Sequence, residues 1–266
     1  MVDFKRKESY NVQDLIKIMQ ILREPGGCPW DAEQTHESIK KNLIEETYEV
    51  IEAINKDDKE LLCEELGDLL MQVVFHAQME QEAGVFDFDT VSDGVCKKLI
   101  ERHPHVFGDV SISGVDDVLT NWDAIKRKTK KQKTTTESML SVPRELPALM
   151  RAAKLQKKAA DVGFDWSEVS GALDKLEEEI AELRQAISNN DGENMAEELG
   201  DLLFSAVNVS RFIKADAEEA LTAASDKFLA RFTTVEQLAS ERGIDMKSAG
   251  IDELDRLWDE AKANNN

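Results

Sequence analysis

Two copies of one acidic motif pair constrain the fold of this 266-residue chain more than any other feature. The pattern Glu-Glu-x-x-Glu at residues 45–49 recurs at residues 178–182, and Glu-Glu-Leu-Gly-Asp-Leu-Leu at residues 64–70 recurs at residues 197–203. Both recurrences have the same offset along the chain, so the spacing between the two motifs is identical in the two halves. Internal repetition of this kind predicts that each half is a copy of one structural module.

The hydrophobic periodicity of the chain is helical. Along one later segment, apolar residues recur at intervals of three and four: Leu173, Leu176, Ile180, Leu183 and Ile187. This spacing places them on one face of a helix. Turn signals are sparse, with 13 Gly and 5 Pro, and no segment alternates between apolar and polar residues. We predict an all-α fold, with helices that include residues 37–55, 58–84 and 193–214 and a helix that starts after an N-cap at Asn11.

The middle of the chain differs in composition from both halves. A run of Lys and Arg at residues 126–131 is followed by three Thr, Pro143 and Pro147. This indicates a polar connection, and we predict a module at residues 1–128, a linker at 129–147 and a module at 148–266. A nucleic-acid-binding arm is the alternative, but the segment has no interleaved aromatic residues.

The composition restricts the partners and the compartment. A formal net charge of −21 argues against binding nucleic acid with the whole surface, and it requires cations to bridge the protein to any polyphosphate. Cys28, Cys63 and Cys96 form no disulfide or metal pattern. The N-terminal residues are not followed by the apolar region of a signal peptide, and no apolar run could span a membrane. We expect a cytoplasmic protein with no membrane contact.

The repeated motifs bring carboxylates together. Residues three and four apart on a helix share a face, so Glu179 aligns with Glu182 and Glu198 aligns with Asp201. A turn at residues 189–192 makes the two helices antiparallel neighbours, so the four carboxylates converge. Converging anions favour a bound cation, and oxygen ligands select Mg²⁺ where phosphate completes its shell. A second possible site in the first half comprises Glu46, Glu49, Glu65 and Asp68.

Two other interpretations of the acidic pattern remain open at this point. The first is a solvated acidic helix face. The second is a di-iron bundle, which needs two Glu-x-x-His pairs, whereas Glu33 and His36 form the single match. The identical spacing of both copies favours the metal site. So does a Gly inside each motif, Gly67 and Gly200, which costs about 1 kcal/mol in a helix. We expect these glycines to permit close helix approach.

These motifs resemble the signature of the MazG-type nucleoside triphosphate pyrophosphohydrolases. The resemblance extends to residues 28–36 and 158–166, which precede the two acidic motifs, and it covers nearly the whole chain. It implies a fold of tandem helical-bundle modules, Mg²⁺ dependence and a dimer. It also implies hydrolysis of ribo- and deoxyribonucleoside triphosphates, with broad base tolerance, to monophosphate and pyrophosphate.

Carried over by position, the resemblance assigns roles in the second module. The implied catalytic residues are Glu178, Glu179, Glu182, Glu198 and Asp201, of which the last four are the metal ligands. The implied substrate-binding residues are Lys175, Asn194, Glu197, Lys227, Arg231, Trp258 and Lys262. Asn194 stands where relatives can carry Lys, so its phosphate contact is in doubt. Glu178 is the candidate for orienting the attacking water.

The second module is expected to be the main catalyst, although the first keeps all four carboxylates and has Lys98, Arg102 and Trp122 as further counterparts. The leading hypothesis is a housekeeping hydrolase of nucleoside triphosphates. The alternatives are a narrow pyrimidine triphosphatase and a non-catalytic helical dimerisation module. A homodimer is expected because two or three long helices bury too little apolar surface alone.

Overall fold

The computed structural model describes residues 4–110, 114, 118, 125 and 134–264. This described part is all-α, as predicted, with twelve helices and no β-strand. None of its helices is both long enough and apolar enough to cross a membrane. The chain divides into two compact units, Met1–Lys126 and Arg127–Asn266, called here the first and the second unit.

The first unit is built around one long helix pair. Its helices are α1 (Val12–Arg23), α2 (Pro29–Glu33), α3 (Lys40–Asn55), α4 (Lys59–Glu82), α5 (Phe88–Arg102) and α6 (Pro104–Phe107). Helices α3 and α4 pack against each other, and α1 packs on α4. The predicted N-cap of α1 is confirmed, because the Asn11 side chain accepts hydrogen bonds from the backbone N–H groups of Gln13 and Asp14. The core comprises Met19, Ile39, Val74, Phe75 and Met79.

The second unit repeats this arrangement and ends in a helix pair. Its helices are α7 (Thr135–Leu140), α8 (Ala148–Ala160), α9 (Val169–Asn189), α10 (Gly192–Phe212), α11 (Ala217–Glu241) and α12 (Ile251–Asn264). Helices α9 and α10 form the long pair, and α8 packs on α10 as α1 packs on α4. Helices α11 and α12 bury Val235, Ala239, Leu257 and Ala261 between them.

The turn inside each long helix pair is the same. Asp57 and Asn190, which occupy equivalent positions in the repeat, both have a left-handed backbone, with φ of 52° and 54°. Asp and Asn tolerate this conformation better than other residues with a side chain. The next residue, Asp58 or Asp191, then caps the following helix through its side chain. The repeated turn therefore places the two acidic motifs of each unit side by side.

Several local expectations differ from the structure. The helix predicted from residue 37 begins at Lys40, and the segment predicted as a linker contains α7, which packs on α8. The basic residues 126–131 lie outside the described residues. The spacing of Ile54 from Val50 on the same helix predicts an inward side chain, but Ile54 is 56% exposed, whereas its neighbour Ala53 is fully buried.

The expectation that Gly67 and Gly200 permit close helix approach is wrong for the described residues. A Cβ atom added at either glycine would meet no other atom within 4 Å. Both glycines are exposed and face open space among the described residues. Packing among the described residues of one chain therefore gives no reason for a glycine here.

Candidate active site

The carboxylate cluster of the second unit comprises Glu179 and Glu182 on α9 with Glu198 and Asp201 on α10. One carboxylate oxygen each from Glu179, Glu182 and Glu198 lies within 4.8 Å of the others. Asp201 is close enough for its charge to affect Glu198. The helical spacing of the motifs and the Asn190 turn therefore produce the predicted convergence.

The electrostatics of this cluster fit a divalent cation. Partial burial, followed by the negative charges of Glu182, Glu179 and Asp201, raises the pKa of Glu198 above its ordinary value. Each carboxylate thus makes ionisation of the others harder, and a cation would relieve this repulsion. A set of ligands made only of carboxylate oxygens suits a hard ion such as Mg²⁺.

A lysine lies at the edge of the cluster. Glu179 is only 4% exposed, and a buried carboxylate needs a partner. Lys175, one turn earlier on α9, places its Nζ 2.7 Å from Oε1 of Glu179 and 3.1 Å from Oε1 of Glu178. These two carboxylates raise the pKa of Lys175, so its ammonium group stays charged. Glu178 therefore points towards Lys175 and solvent, beside the cluster rather than inside it.

A cavity of about 810 Å³ begins at this cluster and extends away from it. Lys175, Glu179 and Asp201 form its acidic end. The other end is lined by residues of α8, the 163–166 loop and α10, which include Gln156, Phe164, Trp166 and Asn208. The volume is in the range of about 300–1,000 Å³ that is typical of small-molecule sites.

Hydrogen bonds fix the orientation of two amide side chains at the far end of the cavity. Gln156 donates from Nε2 to the backbone oxygen of Phe204 at 2.8 Å. Asn208 accepts at Oδ1 from Nη2 of Arg211 at 2.7 Å. Arg211 also donates to both carboxylate oxygens of Asp165, at 2.7 and 2.6 Å, and it lowers the pKa of that carboxyl group. Gln156, Asn208 and Arg211 could not be predicted as cavity residues from the sequence, because nothing in their local pattern distinguishes them from other polar helix residues.

The remaining substrate-binding residues implied by the resemblance lie in different surroundings. Asn194 and Glu197 lie on the first two turns of α10, before the cluster, and the negative charge of Glu197 contributes to the raised pKa of Glu198. Four other residues are on the C-terminal helices and do not line the cavity: Lys227, Arg231, Trp258 and Lys262.

The four C-terminal residues are not joined to the cluster. Trp258 packs on Phe228 with ring centroids 5.3 Å apart, and Lys262 pairs with Asp259 at 2.9 Å. Within residues 134–264, no hydrogen bond or ion pair joins Lys227, Arg231, Trp258 or Lys262 to the carboxylate cluster. Their nucleotide contacts stay predictions.

The carboxylate cluster of the first unit has the same arrangement, but the residue beside it differs. Oxygen atoms of Glu46, Glu49 and Glu65 lie within 4.8 Å of one another. Burial, followed by the charges of Asp68 and Glu49, raises the pKa of Glu46. The position equivalent to Lys175, however, is Asn42. This cluster could hold a cation, but it lacks the adjacent ammonium group.

Arg23, the last residue of α1, lies beside Phe75 on α4, and Phe75 is the counterpart of Asn208 in the repeat. The Arg23 guanidinium lies 5.2 Å from the centroid of the buried Phe75 ring and donates two hydrogen bonds of 2.9 Å to Glu82. Lys98 and Arg102 lie on α5, and Trp122 lies outside the described residues.

The chain is similar to known proteins over almost its full length. The MazG nucleotide pyrophosphohydrolase domain matches residues 34–107 and 168–236, one copy in each unit and together more than half of the chain. The nucleoside triphosphate pyrophosphohydrolase of Escherichia coli (strain K12) is 45% identical over 256 residues, which cover 94% of this chain and 97% of that protein.

Two further relatives extend the comparison. The nucleoside triphosphate pyrophosphohydrolase/pyrophosphatase MazG of Thermotoga maritima is 44% identical over 250 residues, covering 94% of this chain and 95% of that protein. The uncharacterized protein YabN of Bacillus subtilis (strain 168) is 49% identical over 248 residues, covering 92% of this chain but 50% of YabN. With two domain copies and this similarity, the chain is a hydrolase that belongs to the MazG nucleotide pyrophosphohydrolase family.

Proposed function

We propose that the second unit hydrolyses nucleoside triphosphates, ribo and deoxyribo and with broad base tolerance, to nucleoside monophosphate and pyrophosphate in a Mg²⁺-dependent reaction. The observation that carries this proposal is one cavity with a carboxylate cluster and Lys175 at one end and aromatic residues at the other. A nucleoside triphosphate has an anionic triphosphate at one end and an aromatic base at the other. The triphosphate would bind Lys175 and the cation of the carboxylate cluster, and the base would lie against the aromatic residues. The relatives from Escherichia coli and Thermotoga maritima carry the same activity in their names.

Different side chains would bind the metal, bind the phosphate and orient the attacking water. Glu179, Glu182, Glu198 and Asp201 would hold Mg²⁺, which supplies positive charge to neutralise the phosphates and the departing pyrophosphate. Lys175 binds a phosphate oxygen with the ammonium group that Glu178 and Glu179 keep charged. Glu178, which is largely exposed beside Lys175, orients the attacking water. An unchanged kcat in Glu178→Gln would remove this role from Glu178.

Product analysis with ATP and dGTP tests the reaction class. We expect monophosphate and pyrophosphate as the only products, at similar rates for both nucleotides, and no reaction when EDTA removes the divalent ions. Formation of diphosphate and phosphate would contradict the cleavage position. Strong preference for dCTP or dUTP over both purine nucleotides would favour the alternative, a narrow pyrimidine triphosphatase.

The cellular role and compartment belong to the same proposal. Broad substrate use would suit an enzyme that limits noncanonical or excess nucleotides. The three cysteines are free, and Cys63 and Cys96 are exposed, which suits a reducing compartment such as the cytoplasm. Turnover of inosine triphosphate as fast as ATP would support the housekeeping role, and rejection of noncanonical bases would contradict it.

We also propose that the enzyme is a homodimer that pairs through the long helices. The apolar stripe of α9 leaves Leu173, Ile180 and Ile187 exposed, and α10 exposes Leu199 and Leu203 beside Gly200. An exposed apolar stripe along a helix pair is typical of an interface. A second copy would cover it and would account for the open space beside Gly200.

Light scattering on the full chain tests the dimer. The wild-type protein is expected to have twice the mass of the chain. Introducing a charge with Ile180→Glu should yield the single-chain mass, because an unpaired carboxylate in an apolar interface is unfavourable. Gln185→Glu, an exposed change of the same charge on α9, should leave the mass unchanged. A wild-type protein with the mass of one chain would refute the proposal.

A further inference from the structure

We propose that two histidines of the first unit, His36 and His76, form a pH-sensitive switch that holds the segment 34–39 on α4. This segment joins α2 to α3, and its last residue, Ile39, is 2% exposed and belongs to the core of the unit. The switch is closed while the two rings share a hydrogen bond, and it opens when both rings are protonated. Its ligand is the proton, so the switch does not depend on the proposed hydrolysis.

A chain of hydrogen bonds runs from the surface to α4. Nε2 of His36 lies 2.8 Å from Oε1 of Glu80, and Nδ1 of His36 lies 2.7 Å from Nδ1 of His76. The two ring planes differ by 4° and their centroids are 5.0 Å apart, so the rings meet edge to edge, as in a hydrogen bond between the two nitrogens. The side chain of His36 is 48% exposed. Nε2 of His76, in contrast, is shielded from solvent and has no hydrogen-bond partner among the described residues.

These contacts assign the protons of the two rings. An ionised carboxylate only accepts hydrogen bonds, so Glu80 accepts from the N–H group at Nε2 of His36. A neutral His36 then accepts at Nδ1, and His76 donates to it from its own Nδ1. One added proton preserves this bond, because a single hydrogen still lies between the two Nδ1 atoms. A second added proton puts a hydrogen on each Nδ1, which leaves no acceptor there and brings two positive charges together.

The surroundings of His76 oppose its protonation. Burial, followed by the positive charge of His36, lowers the pKa of His76 below its ordinary value of 6.5. Charged side chains on the elements around the pair have partners of their own: Arg23 of α1 with Glu82, Glu46 of α3 with Gln72, Asp93 of α5 with Lys97, and Glu37 with Lys40. Glu80 contacts the pair on the exposed side, at His36, and therefore does not relieve the burial of His76.

The lowered pKa of His76 determines the direction of the switch. The unfolded chain binds a proton at this residue more readily than the folded chain, so His76 contributes stability above the ordinary pKa of 6.5. That contribution decreases as the pH falls below 6.5, and it is lost as the pH falls through the lowered pKa of the folded protein. Acid therefore weakens the contact between the segment 34–39 and α4.

The second unit is a comparison that lacks the pair. At the offset that relates residues 64–70 to residues 197–203, His76 corresponds to Val209 and Glu80 corresponds to Ile213. The histidines of the chain all lie in its first half: His36, His76, His103 and His105. A change of stability near the ordinary histidine pKa is therefore expected in the first unit, and the second unit is a control within the same molecule.

Nuclear magnetic resonance of the ring nitrogens, from about pH 8.5 to pH 5.5, tests the pair in the full chain. At high pH we expect the proton of His76 at Nδ1 and that of His36 at Nε2. The pair should take up protons in two steps more than about one pH unit apart, because the two rings interact. In His36→Asn, His76 should titrate in a single step and its pKa should rise, because the neighbouring positive charge is gone.

Urea unfolding of the full chain measures the effect on stability. Between about pH 7.5 and pH 5.5, the midpoint of the first-unit transition should fall by about 0.5–1 M more in the wild type than in His76→Val, which matches α10 at Val209. His105→Asn, which removes a histidine outside the pair, should behave like the wild type. An equal fall in His76→Val would overturn the switch, and so would independent titration of His36 and His76. If His76→Val does not fold, the titrations of the wild type and His36→Asn decide.

Discussion

The variant Glu198→Gln is expected to lower kcat for ATP hydrolysis by about 10²–10³-fold, whereas Glu65→Gln should change it by less than about twofold. Glu198 and Glu65 occupy equivalent positions of the repeat, in two clusters with the same arrangement. The cluster of Glu198 has a lysine at its edge and an open cavity beside it, whereas the position of that lysine is Asn42 in the first unit. Comparing the two variants therefore shows which unit catalyses the reaction. The measurement is the rate of product formation at saturating Mg²⁺.

Thermal melts of the same variants separate a loss of function from a loss of structure. The raised pKa of Glu198 means that its ionised form is unfavourable in the folded protein. Without divalent ions, Glu198→Gln should therefore melt at the wild-type temperature or above it. Mg²⁺ should raise the melting temperature of the wild type more than that of the variant. Full activity in Glu198→Gln together with its loss in Glu65→Gln would move the chemistry to the first unit.

The second large effect is expected on stability, at the buried Arg23 of the first unit. Arg23→Met should lower the free energy of unfolding of that unit by about 2–3 kcal/mol. The Arg23 side chain is 7% exposed, and it donates to Glu82 and to the backbone oxygens of Asp31 and Gln34. Methionine keeps much of the aliphatic contact but leaves those acceptors without a donor. Urea unfolding followed by circular dichroism, fitted with separate transitions for the two units, measures the change.

A surface pair provides the control for this prediction. Arg242 donates to Glu260 at 2.7 Å, but both side chains are more than 40% exposed, so Arg242→Met should cost less than about 1 kcal/mol. If both variants lost the same free energy of unfolding, the burial of Arg23 would add nothing to its contribution. Arg23 lowers the pKa of Glu82, so its contribution is present at neutral pH and is lost as the pH falls through that lowered pKa. The difference between Arg23→Met and the wild type should therefore shrink in acid.

Periodicity and spacing determined the helices and the carboxylate clusters, because these depend on residues close together in the chain. The i, i+3 and i, i+4 spacing aligns Glu179 with Glu182, and the turn at Asn190 lies a few residues from both motifs. The prediction of two modules was based on the constant offset between the two copies of each motif. The same motifs carry the resemblance to a family, and that resemblance implied the reaction.

Only the tertiary structure decided what surrounds these clusters. Gln156 and Asn208 are far apart in the chain, and they become neighbours because α8 packs on α10. The amide of Gln156 is fixed by the backbone oxygen of Phe204, which is distant in sequence, whereas Asn208 is fixed by Arg211 one turn later on the same helix. Periodicity likewise could not show that Ile54 and the stripe of α9 stay exposed, because it identifies an apolar face and not what covers that face. Local spacing sets which side chains share a helix face, whereas a pocket depends on contacts between helices that are distant in sequence.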